Sequence, residues 1–364
     1  MFIERGRPLS TNGEKNSTSP PSERITEMPA SMLPRHGGSI ALAEKVFGVP
    51  TQGWLDLSTG INPDAFSFPE VSNELWQKLP DTTLTDACID TAAKYFGCNS
   101  RDCIVPGPGT QALIQWLPWL RPPSTTAIIG PTYTGHASAW QVAGHEVIEI
   151  NDLPNWGDFA TVIVTNPNNP DGRQFKAEDL ASLSERQADG GGLLVVDESF
   201  IDASPTNSVS GIAGKQGLIV LRSFGKFFGL AGLRLGFALA DAETAEMLQN
   251  VIGPWPVSGP ALEIGKQAMA DLSWQQNMRI SLKKRSKKMG ELLDLYNFES
   301  LGGTSLFLLG GHPDAYNLYS HLAKNGVLTR AFEGQPDRLR FGIPRDENDF
   351  VRTERALHQF GKEK

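Results

Sequence analysis

The sequence has little cysteine, no long apolar run and no excess of basic residues. Its three cysteines, Cys88, Cys98 and Cys103, are too few and too clustered for a disulfide framework or a zinc site. No apolar run approaches the roughly 18–20 residues that cross a membrane, and the polar N-terminus has no apolar signal-peptide core. We therefore expect a protein of the reducing cytoplasm that has neither a membrane partner nor a metal site.

The charge balance argues against one class of binding partner, nucleic acid. Asp and Glu number 41 against 33 for Lys and Arg, which gives a formal net charge of −8. Broad nucleic-acid binding requires a basic face that displaces counterions, so we expect no nucleic-acid partner. A small anionic substrate is compatible with this charge, because a pocket can be locally basic on an acidic protein.

Length and composition indicate a soluble enzyme with more than one domain. The chain has 364 residues, of which 40% are apolar and 20% charged, and this length suits two domains. Residues 1–30 are polar and proline-rich, and we predict a mobile extension there. We also predict that segment 31–66 joins the small domain, that 67–260 form a large domain and that 261–364 form a small C-terminal domain.

The middle of the chain alternates short apolar runs with amphipathic ones, which is typical of a largely parallel, doubly wound α/β sheet. The apolar runs are nearly continuous, as in strands buried on both faces, and the predicted strands are Thr126–Ile129, Glu146–Ile150, Val162–Thr165, Leu193–Val196, Leu218–Leu221 and Phe237–Ala240. The predicted helices are Thr110–Leu120, Gly135–Val142, Lys176–Gln187 and Ala242–Ile252. A long helical stretch from Ala261 to Tyr296 then leads to the strand candidates LFLLG and RLRFGI. These indicate a smaller α+β domain, which the segment Trp54–Leu57 completes.

Ligands of such sheets gather beyond the carboxyl ends of the strands, and polar groups follow four of the predicted strands or turns. In VVDESF, Asp197 ends a buried strand, where a carboxylate needs a cationic partner. A protonated heterocyclic nitrogen would serve, and an ordinary helix N-cap is the alternative.

The second motif, SFGKFFGLAGLRLGF, contains Ser223, Lys226 and Arg234 at the spacing S-x-x-K-x(7)-R. Desolvation of Lys226 in this apolar, tightly turned segment would lower its pKa and favour Schiff-base chemistry. Ser223 and Arg234 suit a phosphate group. A surface lysine in a glycine loop is the alternative.

Two further motifs are weaker signals by themselves. PGPGTQALI begins a helix at which the backbone N–H groups of Thr110 and Gln111 can bind an anion, although Gly-Pro-Gly often marks only a loop. In TNPNNPDG, Asn169 precedes a proline, which favours an extended backbone with the amide facing a ligand. Asn-Pro pairs are also ordinary turn formers.

Taken together, the four motifs resemble those of the fold-type I pyridoxal-phosphate enzymes, the aspartate-aminotransferase superfamily. The resemblance implies that Lys226 forms a Schiff base with pyridoxal 5'-phosphate, that Asp197 keeps the pyridine nitrogen protonated and that Asn169 binds the phenolic oxygen. Tyr133, in PTYTGH, would stack on the cofactor ring. The residues implied around the cofactor phosphate are Gly109, Thr110, Gln111, Ser223 and Arg234.

The flanking segments RHGGSIALAEKVFG, WLDLSTGINP, PWPVSGPAL and GGTSLF resemble the threonine-phosphate decarboxylase family of cobalamin biosynthesis. This resemblance implies a fold-type I large domain that binds the cofactor, a homodimer and a small phosphorylated amino acid as substrate. The substrate-binding residues that it implies are His36, Gly37, Gly60, Asn169, Arg330 and Arg340. Two arginines near one pocket also suit a doubly anionic substrate. We expect Arg338 and Arg345 to form solvated ion pairs, and a buried histidine without a ligand is the alternative for His36.

Three positions depart from the related patterns. Phe200 stands where aminotransferase relatives usually carry a tyrosine that bonds the phenolic oxygen, and Gly60 stands where some family members carry asparagine. Leu79 replaces a tyrosine that reaches the cofactor phosphate of the neighbouring subunit, so that role does not transfer. The resemblance implies decarboxylation of O-phospho-L-threonine to (R)-1-amino-2-propanol phosphate. The alternatives are an aminotransferase, such as histidinol-phosphate aminotransferase, and a ligand-binding module without catalysis.

Overall fold

A computed structural model describes residues 33–154 and 158–362, together with Pro29. The extension predicted over residues 1–30 therefore lies almost entirely outside the described residues. Within these ranges the strands, in chain order, are β1 (Leu55–Asp56), β2 (Ile104–Gly107), β3 (Thr125–Ile129), β4 (Glu146–Ile150), β5 (Thr161–Thr165), β6 (Leu193–Asp197), β7 (Leu218–Ser223), β8 (Gly236–Leu239), β9 (Glu299–Thr304), β10 (Phe307–Gly311), β11 (Val327–Leu328), β12 (Arg330–Phe332) and β13 (Gln335–Gly342).

The α-helices alternate with these strands through the middle of the chain. They are α1 (Ile40–Phe47), α2 (Asn73–Gln77), α3 (Thr82–Phe96), α4 (Thr110–Trp116), α5 (Thr134–Val142), α6 (Ala177–Asp189), α7 (Ala242–Ile252), α8 (Gly259–Ala270), α9 (Leu272–Leu295), α10 (Ala315–Lys324) and α11 (Glu347–Lys362). None of these helices is both long enough and apolar enough to cross a membrane.

The predicted α/β fold is confirmed by a seven-stranded sheet in the order β2-β8-β7-β6-β5-β3-β4, in which β3 to β7 are parallel and β8 runs antiparallel to both neighbours. Side chains alternate between two apolar cores, one on each face, as a sheet covered by helices on both sides requires. Val195, for example, belongs to one core and Val196 to the other.

Three details of the sequence prediction were wrong. Glu146–Ile150 forms the edge strand β4 and is largely exposed rather than buried on both faces. The helix predicted over Thr110–Leu120 ends at Trp116 and continues as a 3₁₀ turn that contains Pro118. The helical stretch from Ala261 to Tyr296 is broken at Asp271, whose carboxylate accepts a hydrogen bond from Trp274 N at 2.9 Å and caps α9.

The C-terminal part forms a four-stranded antiparallel sheet in the order β12-β13-β10-β9. Next to it β1 pairs in parallel with β11, with Leu55 opposite Val327. Leu33, Leu55 and Leu57 share one apolar core with residues of this C-terminal part. Phe66, at the end of the same segment, belongs instead to a core of the large sheet, and the division of the chain into 31–66, 67–260 and 261–364 stays a prediction.

Candidate active site

The parallel strands β3, β5, β6 and β7 end at the same edge of the large sheet, and the predicted site residues follow these ends. Asp197 is the last residue of β6, and Ser223 is the last residue of β7, with Lys226 three positions later. Tyr133 follows β3 and Asn169 follows β5. Because these strands are neighbours in the sheet, residues more than ninety positions apart in sequence come together there.

Asp197 is held in place by two neighbouring residues. Its Oδ2 lies 2.9 Å from His136 Nε2, and its Oδ1 accepts hydrogen bonds from Ser199 N at 2.9 Å and Ser199 Oγ at 2.5 Å. Burial alone would raise the pKa of Asp197, but the hydrogen bonds from His136 and Ser199 hold it below its usual value. The carboxylate is therefore ionised at neutral pH. It accepts from Ser199 in a local turn and faces a buried imidazole, but it does not cap a helix, because the 3₁₀ helix that follows has Phe200 at its N-cap.

Lys226 lies at this edge in an apolar segment, with the buried side chains of Phe227 and Phe228 after it. Burial and the nearby charge of Arg340 lower the pKa of its ammonium to about 8, against the opposing effect of Asp197. The described residues provide neither a hydrogen bond nor an ion pair for Lys226 Nζ, so a large fraction of this amine is neutral and available near pH 8.

A compact cradle is formed where α4 begins. Gly109 has φ +83°, and a Cβ there would lie 2.5 Å from Arg234 Nη2, so the guanidinium of Arg234 lies against the backbone that begins the helix. Gly236 lies opposite Ser223 in the β7–β8 pair and packs against the start of α4, because a Cβ at this position would lie 2.5 Å from Thr110 N. The backbone N–H groups at Thr110 and the Arg234 cation thus face the same small region, which is suited to a phosphate.

Tyr133 and Gln111 connect this cradle to the neighbouring strand end. Tyr133 Oη donates a hydrogen bond of 2.7 Å to Gln111 Oε1. The Tyr133 ring lies 6.3 Å, centroid to centroid, from that of His136. Burial and the charge of Asp197 raise the pKa of Tyr133, so its hydroxyl stays protonated.

Arg340 links the two parts of the structure. Its Nη1 donates a hydrogen bond to Asn169 Oδ1, and its Nη2 donates one of 2.8 Å to Ser58 O. Its Nε is buried without a partner among the described residues. Burial and the charge of Arg330 lower the pKa of Arg340. A bound anion would therefore stabilise the charged form of this guanidinium.

Arg330 lies directly opposite Arg340 in the β12–β13 pair. Its guanidinium donates hydrogen bonds to Pro34 O and, at 2.6 Å, to Arg35 O. The side chain therefore holds the segment that leads to His36. Arg338 and Arg345 form the expected ion pairs on the surface, with Asp337 at 3.0 Å and Asp64 at 2.9 Å.

The His36 loop lies at the mouth of this region. His36 is exposed, which contradicts the buried alternative, and its ring lies 5.9 Å from that of Tyr133. Gly37 packs so closely against Ser58 O that a Cβ at this position would clash with it. Gly38 N donates a hydrogen bond of 2.7 Å to Ser58 Oγ, which secures the loop on the segment after β1.

Sequence reasoning missed two residues that organise the site. His136 is three residues after Tyr133 in PTYTGH, so the two side chains share one face of the first turn of α5; this spacing was the available signal. Ser58 acts through its backbone carbonyl and its hydroxyl, and neither of these contacts has a sequence signature.

The residues fit pyridoxal phosphate. Lys226 offers an amine to which no described residue is hydrogen-bonded, Asp197 offers an ionised carboxylate with free lone pairs, and the Gly109–Arg234 cradle offers a place for a phosphate. A seven-stranded, mostly parallel sheet that carries these groups at its carboxyl edge defines the class of fold-type I pyridoxal-phosphate enzymes. The chain belongs, within this class, to the class I and II aminotransferase family, whose model matches residues 54–351.

The chain is similar along most of its length to known decarboxylases. It is 40% identical over 328 residues to the threonine-phosphate decarboxylase of Pseudomonas aeruginosa, covering 89% of this chain and 97% of that protein. It is 42% identical over 314 residues to the threonine-phosphate decarboxylase of a Sinorhizobium species, covering 85% and 93%.

A solved structure with the same fold contains the cofactor. The histidinol-phosphate aminotransferase of Sinorhizobium meliloti in complex with pyridoxal-5'-phosphate superimposes with a TM-score of 0.73 at 16% identity, covering 89% of this chain and 94% of that one. The cofactor of this chain is pyridoxal 5'-phosphate, as predicted from the sequence.

Proposed function

We propose that the protein decarboxylates O-phospho-L-threonine to (R)-1-amino-2-propanol phosphate, the cobalamin side-arm precursor. The observation that carries the substrate class is the opposed pair Arg330 and Arg340. Arg340 lies close enough to Lys226 to lower its pKa, and Arg330 lies next to Arg340 on the side of the His36 loop. A phosphorylated amino acid has two anionic groups to pair with them. The reaction type is supported by the similarity to two threonine-phosphate decarboxylases over most of the chain.

The positions of the residues support the following roles. Lys226 would hold the cofactor covalently through its side-chain amine. Asp197, kept ionised by His136 and Ser199, holds a proton on the pyridine nitrogen. The residues that would hold the cofactor phosphate are Gly109, Thr110, Gln111, Ser223 and Arg234. Tyr133 would pack on the ring, and Asn169, whose Oδ1 accepts a hydrogen bond from Arg340, would donate through Nδ2 to the phenolic oxygen.

The bound cofactor supplies an electron-accepting ring. Arg340 binds the substrate carboxylate, while Arg330, His36 and the backbone N–H of Gly37 bind its phosphate, and together these contacts orient the bond between Cα and the carboxylate carbon. When that bond breaks, carbon dioxide leaves and the electron pair remains with the Cα side. The ammonium form of Lys226 would deliver one proton to Cα, and its pKa of about 8 suits this transfer near neutral pH.

Product analysis tests this function directly. Holoenzyme is incubated with O-phospho-L-threonine, and carbon dioxide and the amine product are followed by mass spectrometry, with and without an added keto acid. We expect carbon dioxide and aminopropanol phosphate in equal amounts, independent of the keto acid. Amino transfer that depends on the keto acid, without carbon dioxide, would establish the aminotransferase alternative instead.

We also infer a homodimer that works in the cytoplasm. Trp76 and Leu79, at the end of α2 and just after it, are 67% and 66% exposed, and two large exposed apolar side chains so close in sequence suit a subunit contact. The three cysteines are free thiols, as in a reducing compartment. Sedimentation of Leu79→Glu tests the contact, with Leu295→Glu, at a position 67% exposed on the C-terminal part, as the control. Dimers that persist in Leu79→Glu would place the contact elsewhere.

A further inference from the structure

Two of the three cysteines form a thiol pair in the loop between α3 and β2. Cys98 follows Gly97, whose left-handed backbone (φ +71°) ends α3, and Cys103 is the last residue of the 3₁₀ helix that leads into β2. The side chain of Cys98 is hydrogen-bonded to that of Cys103. The two sulfur atoms are therefore neighbours, although both residues are free thiols.

Both members of the thiol pair also lie against the same segment, residues 210–214. Cys98 Sγ donates a hydrogen bond of 3.6 Å to Ser210 O, and Cys103 Cβ lies 3.7 Å from the ideal Cβ position of Gly214. Cys98 is half-buried, whereas Cys103 is only 4% exposed. Solvent therefore reaches the pair at Cys98, and only a small reagent fits beside Cys103.

The hydrogen bond between the two thiols makes them differ in acidity. It lowers the pKa of Cys103 to about 7, whereas the same hydrogen bond, together with burial, raises the pKa of Cys98. Near neutral pH a large fraction of Cys103 is thus a thiolate beside a protonated Cys98. The thiolate is the form of cysteine that reacts with oxidants, so the pair combines a nucleophile with a thiol that can resolve its oxidised form.

Cys88 has none of these properties and provides a contrast within the chain. It is fully buried in α3, and burial raises its pKa to about 12. It is therefore protonated and closed to solvent. Oxidation at neutral pH should consequently distinguish Cys88 from the thiol pair.

The segment that the thiol pair contacts also holds a buried ion pair next to the candidate active site. Ser210 Oγ donates a hydrogen bond of 2.9 Å to Glu198 Oε2 and accepts one of 2.8 Å from Arg222 Nη1. Glu198 directly follows Asp197, and Arg222 directly precedes Ser223. The contact at Ser210 therefore connects the thiol pair to two strand ends that carry residues proposed to bind the cofactor.

We propose that Cys98 and Cys103 form a site of reversible oxidation, at which hydrogen peroxide converts the two thiols to a disulfide that alters the contact with Ser210. The Cys103 thiolate attacks one oxygen of the peroxide, so a sulfur–oxygen bond forms, the oxygen–oxygen bond breaks and hydroxide leaves. The sulfur of Cys98 then attacks that sulfenic acid. The disulfide bond forms, the sulfur–oxygen bond breaks and water leaves with the proton of Cys98.

The sum of these steps is balanced. Two thiols lose two electrons and two protons, and the peroxide is reduced to two molecules of water once hydroxide takes up the proton that Cys103 lost on ionising. A dithiol such as dithiothreitol reverses the change by thiol–disulfide exchange. The proposal does not depend on which reaction the cofactor catalyses.

Peptide mapping tests the modification directly. Holoenzyme is treated with hydrogen peroxide, unfolded, alkylated and digested with trypsin, which cuts after Arg101 and so separates the two members of the pair. We expect one disulfide that joins the Cys98 and Cys103 peptides and disappears with dithiothreitol, while Cys88 is recovered as the alkylated thiol. A disulfide that includes Cys88, or sulfinic acid at Cys103 without any disulfide, would overturn the proposal.

Variants test the roles of the two thiols. In Cys103→Ser, oxidation of Cys98 by peroxide should be at least tenfold slower than that of the wild-type pair, because the reactive thiolate is gone. In Cys98→Ser, Cys103 should still react but should end as sulfenic or sulfinic acid. Cys88→Ser is the matched control and should form the disulfide at the wild-type rate. Equal rates in Cys103→Ser and wild type would overturn the assignment of the nucleophile.

Cofactor release tests the connection to the active site. After removal of peroxide by catalase, oxidised wild-type holoenzyme should lose pyridoxal phosphate at least twofold faster than the reduced form in cofactor-free buffer, as followed by visible absorbance. Treatment with dithiothreitol, then removed, should restore the slow rate, which oxidised methionines would not allow. Cys98→Ser, which keeps a donor for Ser210 O, should not change its rate after peroxide. An unchanged rate in the wild type that carries the disulfide would overturn the connection.

Discussion

Arg330 and Arg340 are cross-strand partners in the small sheet, so two guanidinium groups project from directly opposed positions. Like charges at such positions are destabilising, and the pKa of Arg340 is lowered by burial and by Arg330. The protein offsets this repulsion with neutral carbonyl acceptors at Pro34, Arg35 and Ser58. No acidic side chain is hydrogen-bonded to either guanidinium among the described residues, which leaves both charges available to a dianionic ligand.

Replacement of Lys226 by alanine should abolish the visible absorbance of the holoenzyme and the covalent bond that borohydride fixes between cofactor and chain. The reason is that Lys226 Nζ is the largely buried amine beside Asp197, with a pKa lowered to about 8. The fold should persist, since no described hydrogen bond depends on this side chain. Lys215→Ala, which breaks only an exposed ion pair with Glu185, is the control. Peptide mapping of a reduced adduct to another lysine would refute the assignment.

The rate at which protein without cofactor takes up pyridoxal phosphate should rise with pH and level off above about pH 8. Only the neutral amine attacks the cofactor aldehyde, and the pKa of Lys226 is lowered to about 8 by burial and then by Arg340. Arg340→Leu keeps the site apolar but removes the charge, so the midpoint of the profile should move to higher pH. Stopped-flow absorbance measures both profiles. An unchanged midpoint in Arg340→Leu would mean that burial alone sets the pKa.

Replacement of Asp197 by asparagine should raise the activation free energy by about 2.7–4 kcal/mol, the range for a single preorganised electrostatic group, and so slow the reaction. The amide cannot hold a proton on the pyridine nitrogen, while the phosphate contacts remain. Steady-state kinetics and cofactor content by absorbance provide the two readouts. Near-normal turnover would show that Asp197 serves only the turn with Ser199.

The sequence predicted the large sheet well because its central strands are short, continuous apolar runs. The start of Leu193–Val196 was correct and its end was one residue short. Strand β2 was not predicted, because its sequence IVPG contains a proline and a glycine, which are typical of a turn. The exposed character of β4 depends on its place at the sheet edge, which the alternation of strands and helices does not determine.

The site could be predicted where a motif is local and not where it depends on tertiary contacts. Ser223, Lys226 and Arg234 lie within twelve residues and have a recognisable spacing. The bond between His136 and Asp197 joins positions 61 residues apart, and its partners could not be paired from sequence. The opposition of Arg330 and Arg340 depends on a register that shifts at the irregularity between Ala331 and Phe332.

The arginine pair also makes a prediction about substrate charge. Charge-assisted hydrogen bonds contribute roughly 1.5–3 kcal/mol each, so removal of Arg330 should lower kcat/KM for O-phospho-L-threonine at least tenfold. The low activity on unphosphorylated threonine should hardly change. Arg340→Ala should impair both substrates, because both carry the carboxylate. Arg338→Ala, on the same strand as Arg340 but ion-paired with Asp337, is the matched control and should leave both activities intact.

Arg330 also anchors Pro34 and Arg35, so its charge must be separated from its role in the loop. Arg330→Gln retains donors for these carbonyls without the positive charge, and it should lose the phosphorylated substrate as Arg330→Ala does. Inorganic phosphate should inhibit the wild type more strongly than either variant, because it competes for the same cation. If Arg330→Gln turns over O-phospho-L-threonine like the wild type while Arg330→Ala does not, Arg330 acts by holding the His36 loop and the substrate phosphate binds elsewhere.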